Sequence, residues 1–72
     1  MPNDPKAVLG NTVRARRHEL RWSQDRLAEK ADLHWTYIGQ IERGERNVSL
    51  ENIVKLAHAL RIAVSQLVRD VG

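Results

Sequence analysis

Apolar residues in this chain recur at intervals of three and four rather than two, the spacing of a helix face and not of a strand. Phe is absent and Tyr occurs once, so the reading is all-α. A chain of 72 residues makes one small domain over positions 1–72, too short to divide its core or to build a nucleotide-binding α/β fold or a barrel. It has no cysteine, so neither disulfides nor a thiolate zinc site can staple it, and apolar packing must hold it together. The longest apolar runs, Ala7-Val8-Leu9 and Ile62-Ala63-Val64, are too short for a membrane span or a signal-peptide core.

Helix starts follow from caps and staples. Asp4 before Pro5 gives an N-cap and a first-turn proline, after which Leu9, Val13, Arg16, Arg17 and Leu20 share one face. Ser23 caps a short second helix whose buried stripe is Leu27, Ala28 and Ala31, with Asp25 favoured at its positive start. Trp22 can pack on Leu27 as a hydrophobic staple. The same spacing recurs as Leu33 with Ile38, Val48 with Ile53, and Ile62 with Leu67, around candidate caps His34, Ser49 and Ala63. Five helices are predicted: Pro5 to Leu20, one following Ser23, Trp35 to Arg43 stopping at Gly44, Leu50 to Leu60, and Val64 to Asp70. His34 and Ala63 are poor caps, because alanine has no acceptor and histidine has one only through an unprotonated ring nitrogen. Met1 to Asn3 and Val71 to Gly72 read as frayed ends.

The segment from Ser23 to Gly44 is the informative one. Only Asp32, Leu33 and His34 separate its two short helices, too few for an antiparallel hairpin, so they must cross steeply as a helix-turn-helix. Charge points the same way. Lys plus Arg number 12 against 9 acidic residues, and nine of those cations are Arg, a composition suited to phosphate. Ile38, Ile41 and Glu42 of the third helix point inward, leaving Trp35, Thr36, Gly39, Gln40 and Arg43 to face a major groove about 12 Å wide. Thr36 and Gln40 can hydrogen-bond base edges, Gln being suited to adenine, and Trp35 or the Thr36 methyl can meet a thymine methyl. Gly39 would leave room for close approach of DNA. Ser23 and Gln24 would hold phosphate at a helix start, and Arg43, Arg46 and Asn47 would extend that track.

The ordered set Leu9-Gly10, Val13, Arg17, Ser23-Gln24, Leu27-Ala28, Leu33, Ile38, Ile41-Glu42-Arg43-Gly44, Leu50, Ile53, Ala57, Leu60 and Leu67 resembles the Cro/Xre-type helix-turn-helix regulators with the five-helix lambda-repressor-like fold. Within that family, the stretch from His34 to Ile53, HWTYIGQIERGERNVSLENI, is most similar to the controller proteins of restriction-modification systems, small dimeric transcription regulators; this chain carries Trp35 where those commonly have Arg and Gly39 where they have Ser. The resemblance implies DNA contacts at Gln24, Thr36, Tyr37, Arg46 and Asn47. Gly is usual in the family where this chain has Arg21, Asp32 and Arg61, so either the arginines adopt a strained left-handed conformation or the helices end differently.

Other readings compete at several positions. Tyr37 either contacts phosphate or packs at the rim. Arg14, Arg21 and Arg26 read as an ordinary solvated face. His18, His34 and His58 lack metal-ligand spacing, and no catalytic constellation can be assembled, so no enzyme activity and no cofactor are expected. A homodimer is expected, because paired recognition helices about 34 Å apart reach successive major grooves. Its contact would use the region 54–71, through Val54, Ile62, Val64, Leu67 and Val68. The same apolar residues would serve an antitoxin-like or adaptor module whose main partner is a protein. Double-stranded DNA, a second copy, and a protein such as RNA polymerase are thus the partners in view, in the cytoplasm. Finally, Arg17 and Glu42 both sit on inward faces, where a lone charge is costly, and are expected to pair.

Overall fold

Four of the five helices begin where a side-chain acceptor meets one of their first free N–H groups. The computed structural model describes residues 4–71, and among them are five helices and no strand: α1 (Pro5–Glu19), α2 (Gln24–Ala31), α3 (Trp35–Glu42), α4 (Leu50–Leu60) and α5 (Val64–Leu67). The Asp4 carboxylate accepts from Lys6 N–H at 2.9 Å, Ser23 Oγ from Arg26 N–H at 3.0 Å, and Ser49 Oγ from Asn52 N–H at 3.2 Å. His34 caps better than its type suggests, since its Nδ1 accepts the Thr36 N–H at 3.1 Å. Ala63 has no side-chain acceptor to offer. Gln66 supplies the local bond instead, its Oε1 accepting the Ala63 N–H at 2.9 Å.

Four helix ends close alike. Arg21, Asp32, Gly44 and Arg61 have φ of 60°, 56°, 74° and 61°, the left-handed region that lets a chain turn back on its last helical turn. At the first, Arg21 N–H donates to His18 O at 3.0 Å and Trp22 N–H to Arg17 O at 3.1 Å. At the last, Arg61 N–H reaches His58 O at 3.2 Å and Ile62 N–H reaches Ala57 O at 3.1 Å. The arginines therefore take the strained conformation and the helices do not end differently. Arg16 Nε adds a bond to Leu60 O at 2.9 Å, satisfying a carbonyl that the end of α4 leaves free.

One core joins the helices. Leu9 and Val13 of α1, Leu27, Ala28 and Ala31 of α2, Ile38 and Ile41 of α3, Leu56, Ala57 and Leu60 of α4, and Leu67 of α5 are buried together. α3 packs against α1 and α2, while α4 closes under α2 and carries α5. The α1–α3 approach is close enough that a Cβ on Gly10 would collide with the Ile41 carbonyl oxygen and stand 2.8 Å from that of Glu42. Only glycine fits there.

The C-terminal segment departs from expectation. α5 is a single turn ending at Leu67, not at Asp70, because Leu67 enters the core and the chain then turns at Val68 rather than repeating a buried position. Leu67 has no exposed surface, so it is a core residue and not a dimer contact, which removes it from the expected interface. Val71 is not frayed: it packs against the core, and its N–H reaches Val68 O at 3.0 Å. Met1 to Asn3 and Gly72 lie outside the described residues.

The left-handed arginines give a direct test. Arg21→Gly should raise unfolding free energy by about 0.5–1 kcal/mol, since glycine occupies that conformation without a Cβ penalty. Urea titration of both proteins measures it; an unchanged or lower midpoint would show that Arg21 is unstrained.

Candidate nucleic-acid interface

The orientation of α3 rests on one buried carboxylate. Glu42 lies on the inward face of α3, its side chain fully buried, and Arg17 of α1 is nearly so. Arg17 Nε donates to Glu42 Oε2 at 2.7 Å and its Nη2 to Oε1 at 3.0 Å, a two-pronged pair. The remaining Arg17 nitrogen, Nη1, donates to Trp22 O at 2.8 Å, so the same guanidinium also fixes the chain between α1 and α2. Gln24 Nε2 donates to Glu42 Oε1 at 3.1 Å. Arg14 adds its charge 3.5 Å from Oε1 and an Nη2 bond of 3.2 Å to the Glu42 carbonyl. Burial would push the Glu42 carboxyl up, but the bonds from Arg17 and Gln24 and the charges of Arg17 and Arg14 together hold it below its ordinary value. Among the described residues no buried side-chain polar atom lacks a partner.

Arg14 thus corrects the reading of a solvated face: half-exposed, it still turns its head to Glu42. The signal was present, since Arg14 lies one helical turn before Arg17 and shares its side of α1. Gln24 is also tied down by its side chain, which the phosphate assignment did not anticipate. Arg26 does face water, paired with Glu29 at 3.0 Å.

The opposite face of α3 carries the exposed groups. Trp35 is 59% exposed at the first position of the helix and stacks on His34, ring centroids 5.8 Å apart. Thr36 beside it is exposed, as are Ser23 at the start of α2 and Asn47 after α3. Gln40 is half-buried, and its Oε1 accepts from Arg46 Nη1 at 3.0 Å. The Arg46 guanidinium lies 5.1 Å from the centre of the Tyr37 ring, and the Tyr37 hydroxyl accepts from Asn52 Nδ2 at 3.1 Å. Tyr37 therefore joins the α3–α4 loop to α4 through its ring and its hydroxyl. Asn52 escaped sequence reasoning because nothing local marks a contact fifteen residues away in sequence. Arg43 pairs with Glu45 at 2.8 Å, and its hydrogen bond, helped by its charge, holds that carboxyl below its ordinary value.

Gly39 requires a correction. It is buried rather than open to the groove, because the space a Cβ would take lies 3.1 Å from Arg43 Nη1 and 3.6 Å from Gln24 Oε1. The missing side chain makes room for two neighbouring side chains that span α2 and α3, not for an open approach. Elsewhere, Val54 and Leu50 are 47% and 71% exposed, one turn apart on α4. Ile62, Val64 and Val68 are half-buried at the edge of the core. Leu50 matches a family position in the sequence, and its exposure follows only from how α4 packs. No described residues group into a cluster able to hold a metal ion, and no helix is long and apolar enough to cross a membrane.

Two short helices crossing at a three-residue turn, the second held from behind and exposed in front, define a helix-turn-helix DNA-binding unit. A helix-turn-helix family matches residues 13–67. The chain belongs to the Cro/Xre-type helix-turn-helix family of transcription regulators. It is similar to the control protein C.SmaI of Serratia marcescens, 45% identical over 96% of this chain and 82% of that one. The control protein C.BamHI of Bacillus amyloliquefaciens is 46% identical over 93% of this chain and 84% of its own length. Among solved structures, the restriction-modification controller protein C.AhdI from Aeromonas hydrophila superposes with a TM-score of 0.84 at 44% identity, covering 86% of this chain and 94% of that one.

Breaking the central pair should be costly. Either Arg17→Met or Glu42→Leu alone leaves a buried charge and should lower stability by about 3–5 kcal/mol, whereas the double variant should be far milder. A double-mutant cycle in denaturant measures the coupling, and a value near zero would show that the charges act independently.

The same carboxylate sets an acid limit. Because its folded value lies below the ordinary 4.5, its contribution is present above that pH and is lost as pH falls through the lowered value. Thermal melts across the acid range should therefore show a shallower loss for Glu42→Gln than for the parent, although the variant starts from a lower melting temperature. Parallel acid slopes would place the linkage elsewhere.

Proposed function

We propose that the chain is a homodimeric regulator that binds a palindromic double-stranded DNA operator in the cytoplasm, controls restriction-modification genes, and acts without catalysis or cofactor. The observation that carries this reading is the exposed face of α3, with Trp35, Thr36 and Gln40, backed by the buried Arg17–Glu42 pair. Such a helix meets the groove at a set angle, which base reading requires. Ser23, Gln24, Tyr37, Arg43, Arg46 and Asn47 would flank it along the phosphates. Gly39 would serve from below, by seating Gln24 and Arg43 beside the groove.

Two copies are needed because one short helix reads only a few base pairs. Val54, Ile62, Val64 and Val68 would supply the two-fold contact, and Leu50, exposed one turn before Val54 on α4, would be available beside Val54. The relatives named control or controller proteins support the class of genes. RNA polymerase is the protein partner through which such a regulator would raise transcription.

A palindromic duplex selected from random sequence should shift with two chains bound, and the shift should weaken steeply as salt rises. Gel shift with sedimentation measures both. No shift at low salt would overturn the proposal and favour an adaptor whose main partner is a protein.

A further inference from the structure

The contact between Arg46 and Gln40 has a chemical direction. A guanidinium donates and cannot accept, so the amide atom it meets at 3.0 Å is Oε1, and a reversed amide would set donor against donor. Arg46 is itself held against the Tyr37 ring, whose hydroxyl is bonded to Asn52 on α4. A line of contacts, Asn52 to Tyr37 to Arg46 to Gln40, thus runs from α4 to the exposed face of α3. Its last member presents the amide NH2 as the group left unengaged.

We infer that Arg46 is a specificity-determining residue that acts through Gln40, fixing that side chain as a hydrogen-bond donor to the groove. The inference rests on the DNA-reading function proposed above. A free glutamine can pair both amide atoms with adenine, or turn its oxygen toward the amino group of cytosine. With Oε1 taken by Arg46, the NH2 finds acceptors on guanine, on adenine N7 and on thymine O4. At cytosine it meets another donor. The second lone pair of Oε1 lies beside the guanidinium charge, which opposes the approach of a base amino group. Gln40 therefore selects chiefly against cytosine at the base it faces, and Arg46, assigned above to the phosphate track, enforces that choice.

The test is competition binding of the full chain to duplexes varied at the one base pair whose preference disappears in Gln40→Ala. The parent should reject cytosine there by roughly tenfold, the scale of one base contact. Arg46→Ala, with an unchanged thermal midpoint, should lose this rejection while keeping its preferences at other positions. Gln40→Glu keeps the Arg46 partner but only accepts, and should reverse the preference toward cytosine. If Arg46→Ala instead lowers affinity for every sequence in the same proportion, Arg46 is a phosphate contact alone and the inference fails. A parent protein without preference at any position would overturn the DNA-reading function and this inference together.

Discussion

The buried carboxylate of Glu42 is the constraint on which the arrangement depends. A charge on the inward face of α3 is tolerable only if its lone pairs are filled, and filling them recruits Arg17 and Arg14 from α1 and Gln24 from α2. Three helices are thereby referred to one point. An apolar residue of similar size would have filled the volume without specifying a direction. The directional bonds restrict how far α3 can rotate or slide, and the position of its outer face follows from that.

The outer face has its own bracing from the far side. Arg46 and Tyr37 connect the loop after α3 to Asn52 of α4, so α3 is tied by charge behind and by amide, aromatic and hydroxyl contacts in front. The two systems differ in exposure. The rear pair is shielded from solvent and salt, whereas the Arg46–Gln40 contact in front lies at the surface, where water and a nucleic acid can compete for it. Rigid positioning and adjustable contact are thus placed on opposite sides of one short helix.

Small residues and strained ones hold the frame in which this happens. Gly10 lets α1 approach the carbonyls of α3, and the left-handed Arg21, Asp32 and Arg61 turn the chain at three of the four helix ends. Arginine in that conformation costs about 1 kcal/mol. Turn bonds to the preceding helix hold it there, and at Arg61 the guanidinium also lies 5.8 Å from the centre of the Trp22 ring.

Local chemistry made much of the fold legible in the sequence. Asp4, Ser23 and Ser49 are good caps, the staple spacing repeats four times, and the three- and four-residue apolar period needs no partner to be read. The Arg17–Glu42 pairing was legible too, because each charge sits among apolar neighbours on its own helix and so demands a partner. Tertiary packing alone decided the rest. Leu67 reads equally well as an interface or a core residue until α5 is seen to stop after one turn. Gly39 looks open on a helical wheel and is covered by Arg43 and Gln24, one reaching back from the end of its own helix and one across from the helix before. The Asn52–Tyr37 and Arg46–Gln40 contacts join positions that no helical period relates. Periodicity and capping act within a turn or two of chain and so are written in it; a contact across the fold depends on where several helices finally lie, which their packing against one core determines.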